Sequence, residues 1–422
     1  MGMVESILQP VVLPRMVRIR QIFDDSKIDD VSTAVRTELD RAAIANTIQP
    51  GKRICLTAGS RGVDNIALIL KTIADYLKEK GAIPFIIPAM GSHGGAVAEG
   101  QLKIINDYGV TEEYCGCEII SCMDTVEIGK TPDGQAVFID KYAAEADGII
   151  VIGRIKPHTA FRGKYESGLM KMMAIGLGKQ YGAQACHYEG FKKMAHMVPM
   201  FGQTILDNCR ILFGVGLIEN AFDKTCMIKA LTPAEIVTEE PKLLQIAFTK
   251  MPKVKIEQGD ILIVDQIGKN ISGDGMDPNV SGTWATPYAS GGFQKQRVVV
   301  LDLTEETHGN SNGLGMADVT TDRAYHKVDA DASYPNGLTS LILNVLKVPA
   351  HFRSDELAIK AAAKTCTDGD RDNLRIVRIK DTLHLGEIWI SEAMLEEAKA
   401  MPDIKILSEP APFAFDENGN LF

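Results

Sequence analysis

Three histidines and one lysine in the first half of the chain have the side chains best suited to chemistry. His93, His158, Lys171 and His187 each lie in a segment that contains glycine or proline. Imidazole titrates near neutral pH, so one pair of imidazoles can exchange protons with a carbon-bound hydroxyl while a third binds a metal. A lysine amine can form a covalent attachment. This set of residues predicts acid–base chemistry beside a metal and an attachment point.

A short loop after the first apolar run is a candidate anion-binding site. The segment Ala58–Gly62 (AGSRG) lies between an expected strand and an expected helix. Its backbone amides, the Ser60 hydroxyl and Arg61 could hold a phosphate or carboxylate of a cofactor or substrate. The loop is not a Walker loop and lacks the dinucleotide-binding spacing. A tight turn with a surface arginine is the alternative.

Each of these groups also has an ordinary structural interpretation. A single histidine is usually just hydrogen-bonded, and the composition of residues 162–179 also fits a buried helix lined by methionine. His187 has one neighbouring candidate ligand, Cys186, so a metal there needs donors from elsewhere. The case for a site therefore depends on the residues taken together.

The pattern of apolar runs predicts the fold that would position these residues. Four short runs are typical of strands buried on both faces, at residues 53–57, 83–87, 148–152 and 211–215. Residues 64–80 have helical spacing, and we expect Asp64 to cap that helix. Strand, helix, strand predicts a parallel, Rossmann-like α/β sheet, in which ligands bind beyond the carboxyl ends of strands. Ser60, His93 and His158 follow the first three runs.

The length of 422 residues predicts two domains. We expect an N-terminal cofactor-attachment and catalytic domain at 1–255 and a C-terminal α/β domain at 256–422, which closes over substrate with the active site in the cleft. The second half contains further strand-like runs, among them 297–303, and a glycine-rich loop at 268–284. No internal repeat is visible.

Composition limits the class of partner. The formal net charge is -10 without a basic block, which disfavours binding to nucleic acid or to an anionic membrane. A small molecule is the expected partner. The eight cysteines lack the spacing of a disulfide framework, no secretory signal precedes them, and no apolar run is long enough to span a bilayer. We therefore expect a cytoplasmic protein, with a homo-oligomer left open.

The arrangement resembles a known family. The spacing from His158 through Ser167-Gly-x-x-Lys171 to His187, with His93 in a Gly-x-His setting, is similar to that of the nickel-dependent lactate racemase family. The total length is similar as well. The resemblance covers most of the chain and is strongest between residues 50 and 190, with a weaker similarity at 307–318.

The resemblance implies a cofactor and a role for each residue. Lys171 would form a thioamide with the nickel-pincer nucleotide, a pyridinium-3-thioamide-5-thiocarboxylate mononucleotide, and His187 would bind the nickel. His93 and His158 would be the catalytic acid and base, and Arg61 would lie near cofactor and substrate. The implied reaction removes hydride from C2 of a 2-hydroxy acid and returns it to the other face of the planar 2-oxo acid. Cofactor maturation enzymes would be partners.

Three departures from the family pattern concern the substrate. Ala58 stands where lactate-acting members carry aspartate, and Gly94 stands where they tend to carry a basic residue. The loop at 268–284 does not match their second-domain segment, which contains contacting Gln and Lys. We therefore expect a longer, hydroxylated acid, such as an aldonate epimerised at C2. The candidate substrate contacts in the loop are Asp274, Asp277 and Asn279.

Two other functions fit the same residues. One is a ligand-binding protein that kept the fold and lost the chemistry. The other is a metal-dependent dehydratase or hydrolase that uses the cleft without the pincer cofactor. The presence of all four residues, His93, His158, Lys171 and His187, favours the racemase, because a binding protein has no need to keep them.

Overall fold

A computed structural model describes residues 2–60 and 62–422. The chain divides into two compact units. One unit is Asp25–Met251, and the other combines the segment before Asp25 with Pro252–Phe422. No helix in the described ranges is both long and apolar enough to cross a membrane.

The described strands, in chain order, are β1 (Met16–Gln21), β2 (Arg53–Ala58), β3 (Ile83–Pro88), β4 (Glu118–Ile119), β5 (Thr125–Lys130), β6 (Ala136–Asp140), β7 (Gly148–Arg154), β8 (Ile211–Glu219), β9 (Thr225–Leu231), β10 (Ile261–Ile267), β11 (Arg297–Leu303), β12 (Val319–Thr321), β13 (Ala350–Phe352), β14 (Ile376–Ile379), β15 (Glu387–Ser391) and β16 (Ile404–Ile406).

The described α-helices are α1 (Met3–Leu8), α2 (Val31–Leu39), α3 (Ala42–Ala45), α4 (Ile66–Glu79), α5 (Ala98–Asp107), α6 (Glu112–Cys115), α7 (Lys141–Glu145), α8 (Leu169–Lys171), α9 (Lys179–His187), α10 (Met194–Asn208), α11 (Pro233–Lys250), α12 (Pro278–Ser281), α13 (Asp322–His326), α14 (Ala330–Ser340), α15 (Asp355–Thr365) and α16 (Leu395–Ala400). Short 3-10 turns occur at Gly94–Ala96, Phe191–Lys193, Glu305–Thr307, Leu314–Met316, Asn344–Leu346 and Glu392–Met394, and Met172–Leu177 is π-helical.

The 25–251 unit is built on a six-stranded sheet in the order β4-β3-β2-β7-β8-β9. Its strands are parallel except β9, which runs antiparallel to β8. Alternate residues of β2 enter two apolar clusters, Cys55 in one and Ile54 and Leu56 in the other. Burial on both faces is typical of a parallel sheet covered by helices. The predicted α/β class is confirmed.

All four apolar runs of this unit are strands. Each extends further than predicted, two of them by one residue and the other two to Arg154 and Glu219. The predicted cap of α4 is wrong. Asn65, not Asp64, precedes the helix, and it makes no side-chain capping bond. The Asp64 carboxylate instead accepts hydrogen bonds from the Thr225 backbone N–H at 3.1 Å and from Asn65 Nδ2 at 2.7 Å. Asp64 therefore ties the loop before α4 to β9.

The other unit contains an eight-stranded sheet in the order β13-β12-β11-β10-β14-β15-β1-β16. The first five strands are parallel, and β1 runs antiparallel to both β15 and β16. Val17 and Ile19 of β1 are fully buried in the core of this unit. The N-terminal segment thus groups with Pro252–Phe422, which differs from the predicted division at 1–255, because β1 finds its pairing partners near the other end of the chain.

Candidate active site

The candidate residues of the 25–251 unit follow three neighbouring strands. Ser60 comes two residues after β2, His93 follows β3, and His158 follows β7. These three strands are adjacent and parallel, in the order β3-β2-β7. The segments after them therefore begin at the same edge of the sheet, where ligands bind in open parallel sheets.

A cavity of about 200 Å³ lies at this edge. Its polar lining residues include Ser60, His93, Lys156 and Lys171, and Met172 and Ile175 are among its apolar ones. The cavity therefore combines an amine for attachment, an imidazole and a second cation within one apolar enclosure, the usual composition of a small-molecule site.

Lys171 ends a short helix whose start is held by a buried carboxyl group. Glu240 on α11 accepts a hydrogen bond from the Met170 backbone N–H at 3.1 Å, and burial raises the pKa of Glu240 to about 8. Gly168 leaves room for it, since a Cβ there would lie 2.1 Å from Glu240 Oε1. After Lys171 the chain continues as a π-helix, a conformation frequent at functional sites.

His158 is buried, and hydrogen bonds hold both its backbone and its ring. Its backbone N–H donates to Glu166 Oε2 at 2.6 Å, and its Nδ1 accepts from the Ala160 backbone N–H at 3.0 Å. Burial, followed by the nearby Lys171, holds the pKa of His158 well below its usual range. The imidazole is therefore neutral at pH 7, and because Nδ1 accepts a hydrogen bond, its proton is on Nε2.

Lys171, His158 and His187 meet in one place. Lys171 Nζ is 2.7 Å from His158 Nε2. The His187 ring packs edge-on against Phe191 at 5.5 Å between centroids, and Phe191 also lies 6.1 Å from the His158 ring. Burial, and then Lys171, lower the pKa of His187 to about 4. His187 is therefore a neutral imidazole with a nitrogen lone pair, the form that binds metals.

His93 has the opposite ring pattern to His158. Its Nδ1 lies 2.7 Å from the Met90 carbonyl oxygen. A carbonyl accepts hydrogen bonds, so Nδ1 carries a proton, and in the neutral imidazole Nε2 keeps its lone pair. Gln101, which is fully buried, donates to the carbonyl oxygens of Gly91 and His93 at 2.9 and 3.1 Å. Gln101 thus holds the backbone of the His93 segment in place.

The structure says less about the role of the other residues predicted in this unit. Ser60 lines the cavity, and its carbonyl oxygen accepts from Tyr108 Oη at 3.1 Å. Arg61 lies outside the described residues. At Gly94 (φ +66°) a Cβ would lie 2.6 Å from the Gly100 carbonyl carbon, so this backbone excludes a side chain there.

Asp274, Asp277 and Asn279 lie in the other unit, and some of their polar groups form hydrogen bonds within that unit. Asp277 is buried and caps α12, accepting from the Asn279 backbone N–H at 2.9 Å. Asp274 Oδ1 lies 3.5 Å from Asn312 Nδ2. Contact of these residues with a substrate stays a prediction.

Sequence reasoning missed several residues that shape the site. Lys156 stands two residues before His158 and lines the cavity, so the apolar run before it could have indicated it. Glu240 and Gln101 belong to helices remote in sequence, and no local pattern identifies either of them. A glutamate such as Glu166 would ordinarily be expected on the surface, yet it is buried and accepts a hydrogen bond from the His158 backbone N–H.

Comparison with known proteins identifies the domain that carries these residues. Residues 8–197 match the lactate racemase N-terminal domain. The fold of the chain is also similar to that of the lactate racemase apoprotein from Thermoanaerobacterium thermosaccharolyticum, with a TM-score of 0.52 and 14% identity over 86% of this chain and 93% of that chain. No curated protein matches the sequence.

The match to the lactate racemase N-terminal domain confirms the resemblance seen in the sequence. The match to the N-terminal domain spans His93, His158, Lys171 and His187. The similar solved structure supports the α/β fold over most of the chain. The domain match supports a racemase or epimerase, an isomerase by class.

Proposed function

We propose that this protein inverts C2 of a 2-hydroxy acid, with a nickel-pincer nucleotide attached to Lys171. One observation carries the proposal: Lys171 Nζ lies 2.7 Å from His158, close to His187, and lines the same cavity as His93. An amine and three imidazoles that are distant in sequence would have no reason to converge in a protein that only binds a ligand.

The residues present fit this cofactor. Lys171 lines the cavity and offers the attachment point. His187 is neutral at pH 7, because burial lowers its pKa to about 4, and nickel accepts imidazole nitrogen. Ser60 lines the same cavity and could hold the nucleotide's phosphate. When bound, the nickel-pincer nucleotide would supply the hydride chemistry at C2.

His93 and His158 would handle the proton of the substrate hydroxyl. In its neutral form His93 has a lone pair on Nε2, so we assign it to accept that proton as the C2–O bond becomes a carbonyl. His158 carries its proton on Nε2, and a neutral imidazole can donate to an oxygen that gains negative charge. The two histidines follow different strands, as inversion through a planar 2-oxo acid requires.

Lys156 is our candidate for binding the substrate carboxylate. It lines the same cavity as Lys171 and His93, and its ammonium group can form a charge-assisted hydrogen bond to a carboxylate. Gly94 leaves no room for the basic side chain that family members tend to carry, and Ala58 is buried in β2. We therefore propose a hydroxylated acid such as an aldonate rather than lactate, supported by these departures from the family pattern.

We also propose that the protein works in the reducing cytoplasm with the cofactor maturation enzymes as partners. All eight cysteines, each of them among the described residues, are free thiols. Free thiols throughout a chain of this length are typical of a reducing compartment.

The direct test is coexpression with enzymes that make the cofactor, followed by intact-mass analysis. We expect a covalent adduct that is absent from Lys171→Ala, and nickel that is lost in His187→Ala. Loaded protein is then assayed with C2-deuterated aldonates and simple 2-hydroxy acids in ordinary water. Retention of deuterium in the inverted product supports hydride transfer. Turnover by unmodified protein would overturn the cofactor assignment, and turnover of lactate alone would overturn the substrate.

A further inference from the structure

A fully buried ion pair lies in the same unit as the candidate active site and has no part in the proposed chemistry. Lys179 and Asp140 are both 0% exposed, and Lys179 Nζ is 3.2 Å from Asp140 Oδ2. Withdrawing two charges from water is costly, and their mutual attraction often does no more than offset that cost. Stability alone is therefore a poor explanation for this pair.

Lys179 joins three segments that are distant in sequence. Its ammonium group donates to the carbonyl oxygen of Pro88, the last residue of β3, and to Gln101 Oε1 on α5 at 3.3 Å. The third oxygen belongs to Asp140, the last residue of β6. An ammonium group has three N–H donors, so the three segments together satisfy it. A side chain without these donors cannot join them.

The π-helix that precedes Lys179 packs directly against the chain after β3. The Gly91 backbone N–H donates to the Gly176 carbonyl oxygen at 3.3 Å. A Cβ at Gly176 would lie 2.7 Å from the Ala89 carbonyl oxygen, so the two backbones approach closely. The π-helix follows Lys171, and the chain after β3 leads to His93. Movement of either backbone would therefore change the separation of these two side chains.

The backbone of Lys179 has a conformation that is uncommon for a residue with a side chain. Its φ is +51°, in the left-handed region. Such strain persists where surrounding contacts fix it, and it is concentrated at functional sites. One of the contacts here is with Gln101, which also donates to the carbonyl oxygens of Gly91 and His93. The strained residue is thus connected to the His93 segment.

We propose that Lys179 is a positioning residue. Through Pro88, Gln101 and Asp140 it fixes the π-helix relative to the His93 segment, and so it sets the separation of Lys171 from His93. The importance of that separation for catalysis rests on the proposed function, whereas the coupling of the two segments does not.

The first test measures amide hydrogen exchange in the cofactor-free chain. Both charges are removed together, because deleting one partner would leave an isolated buried charge. In Lys179→Met with Asp140→Asn, the amide oxygen can still accept from the Tyr142 and Ala143 N–H groups at the start of α7. We expect exchange about tenfold faster, relative to β8, in both residues 89–97 and residues 172–178.

The strand β8 serves as the reference because it reports the stability of the whole unit. A purely structural pair would speed exchange in β8 as much as in the two segments, and that result would overturn the proposal. Faster exchange in only one of the two segments would overturn it as well. The control is Lys103→Met with Asp107→Asn, an exposed pair on α5 with an N–O distance of 2.9 Å, which should leave both segments unchanged.

A second variant separates the amine from the backbone conformation. Glycine adopts a φ of +51° without strain, so Lys179→Gly with Asp140→Asn keeps the turn and removes the amine. It should show the same faster exchange in both segments. Exchange like that of the wild type would show that the turn alone positions the segments, against the proposal. If neither variant folds, nitrogen NMR of wild-type lysine side chains decides: Lys179 should give an ammonium signal that exchanges slowly with water, and rapid exchange would contradict the three contacts.

Kinetics of cofactor-loaded protein test the catalytic consequence. The Lys179→Met variant with Asp140→Asn should lose about 10- to 100-fold in kcat at unchanged KM, because displaced reacting groups slow the chemical step without weakening substrate binding. An unchanged kcat would overturn the positioning role. Absence of the Lys171 adduct from wild-type protein would instead remove the proposed function, and the exchange measurements would still decide whether Lys179 couples the two segments.

Discussion

At the scale of single residues, main-chain groups give two identical side chains different chemistry. His93 donates from Nδ1 to the Met90 carbonyl, whereas His158 accepts at Nδ1 from the Ala160 N–H. Residue type predicts an acid–base pair, but it does not predict which nitrogen carries the proton, because that depends on the backbone path after each strand. The structure thus gives each histidine a distinct starting state.

Lys156→Met tests the proposed carboxylate contact. A charge-assisted hydrogen bond contributes about 1.5–3 kcal/mol, so its loss should raise KM about 10- to 100-fold. We expect kcat to change little, because the carboxylate is bound equally in the ground and transition states. Steady-state kinetics of loaded protein would measure this, with Lys192→Met as the surface control. A fall in kcat at constant KM would assign Lys156 to the reacting atoms instead.

At the scale of elements, the buried Glu240 links α11 to the start of α8, and its protonation predicts a pH dependence. Its pKa is about 8 in the native state and near 4.5 in an unfolded chain. Between these values the native state holds a proton that the unfolded state lacks, so the free energy of unfolding should fall as pH rises through this window. One group contributes at most about 1.4 kcal/mol per pH unit.

Glu240→Gln should remove this part of the pH dependence, since an amide does not titrate and its oxygen can still accept from the Met170 N–H. Denaturant unfolding at pH values between 5 and 8, roughly the window in which the carboxyl titrates, is the measurement. Glu239→Gln is the matched control on the same helix, because Glu239 is exposed and pairs with Lys242 at 2.7 Å. Equal slopes for wild type and Glu240→Gln would show that Glu240 is ionised in the native protein.

A second prediction at this scale concerns α5 and the His93 segment. Gln101→Leu removes the donor to the Gly91 and His93 carbonyls and the acceptor of Lys179 Nζ at 3.3 Å. Each buried group left unpaired costs about 1–3 kcal/mol. We expect faster amide exchange at residues 91–97 and lower kcat. The exposed Gln184 gives the control Gln184→Leu, and unchanged exchange in Gln101→Leu would contradict this role.

The elements themselves were largely predictable from the sequence, because strands buried on both faces have a compositional signal that does not depend on distant partners. The run at 297–303 matches β11 in full. The Asp64 cap was wrong because the carboxylate found partners on β9, about 160 residues away. The π-helix after Lys171 was missed for a related reason: its hydrogen-bond pattern depends on tertiary packing rather than on local propensity.

At the scale of the whole molecule, one unit is built from two segments that are far apart in the sequence. The strand β1 lies between β15 and β16, so the first residues of the chain complete the sheet of the Pro252–Phe422 unit. A pairing between residues almost 400 positions apart leaves no local signal in the sequence, and a boundary drawn from composition near 255 assigns this segment to the first domain. The core of that unit therefore depends on the N-terminal segment.

Ile19→Ala tests this dependence. Ile19 is fully buried and pairs with Ile388 on β15 and Ile406 on β16. Removing its buried carbons should cost about 2–5 kcal/mol, and the loss should appear in one unit. Hydrogen exchange with peptide resolution should show lower protection in β15 and β16 and unchanged protection in β2 and β7. Val12→Ala, at an 85% exposed position of the same segment, should change neither. Equal loss of protection in both sheets would mean that the two units unfold as one, and that the N-terminal strand stabilises the whole chain rather than the unit it completes.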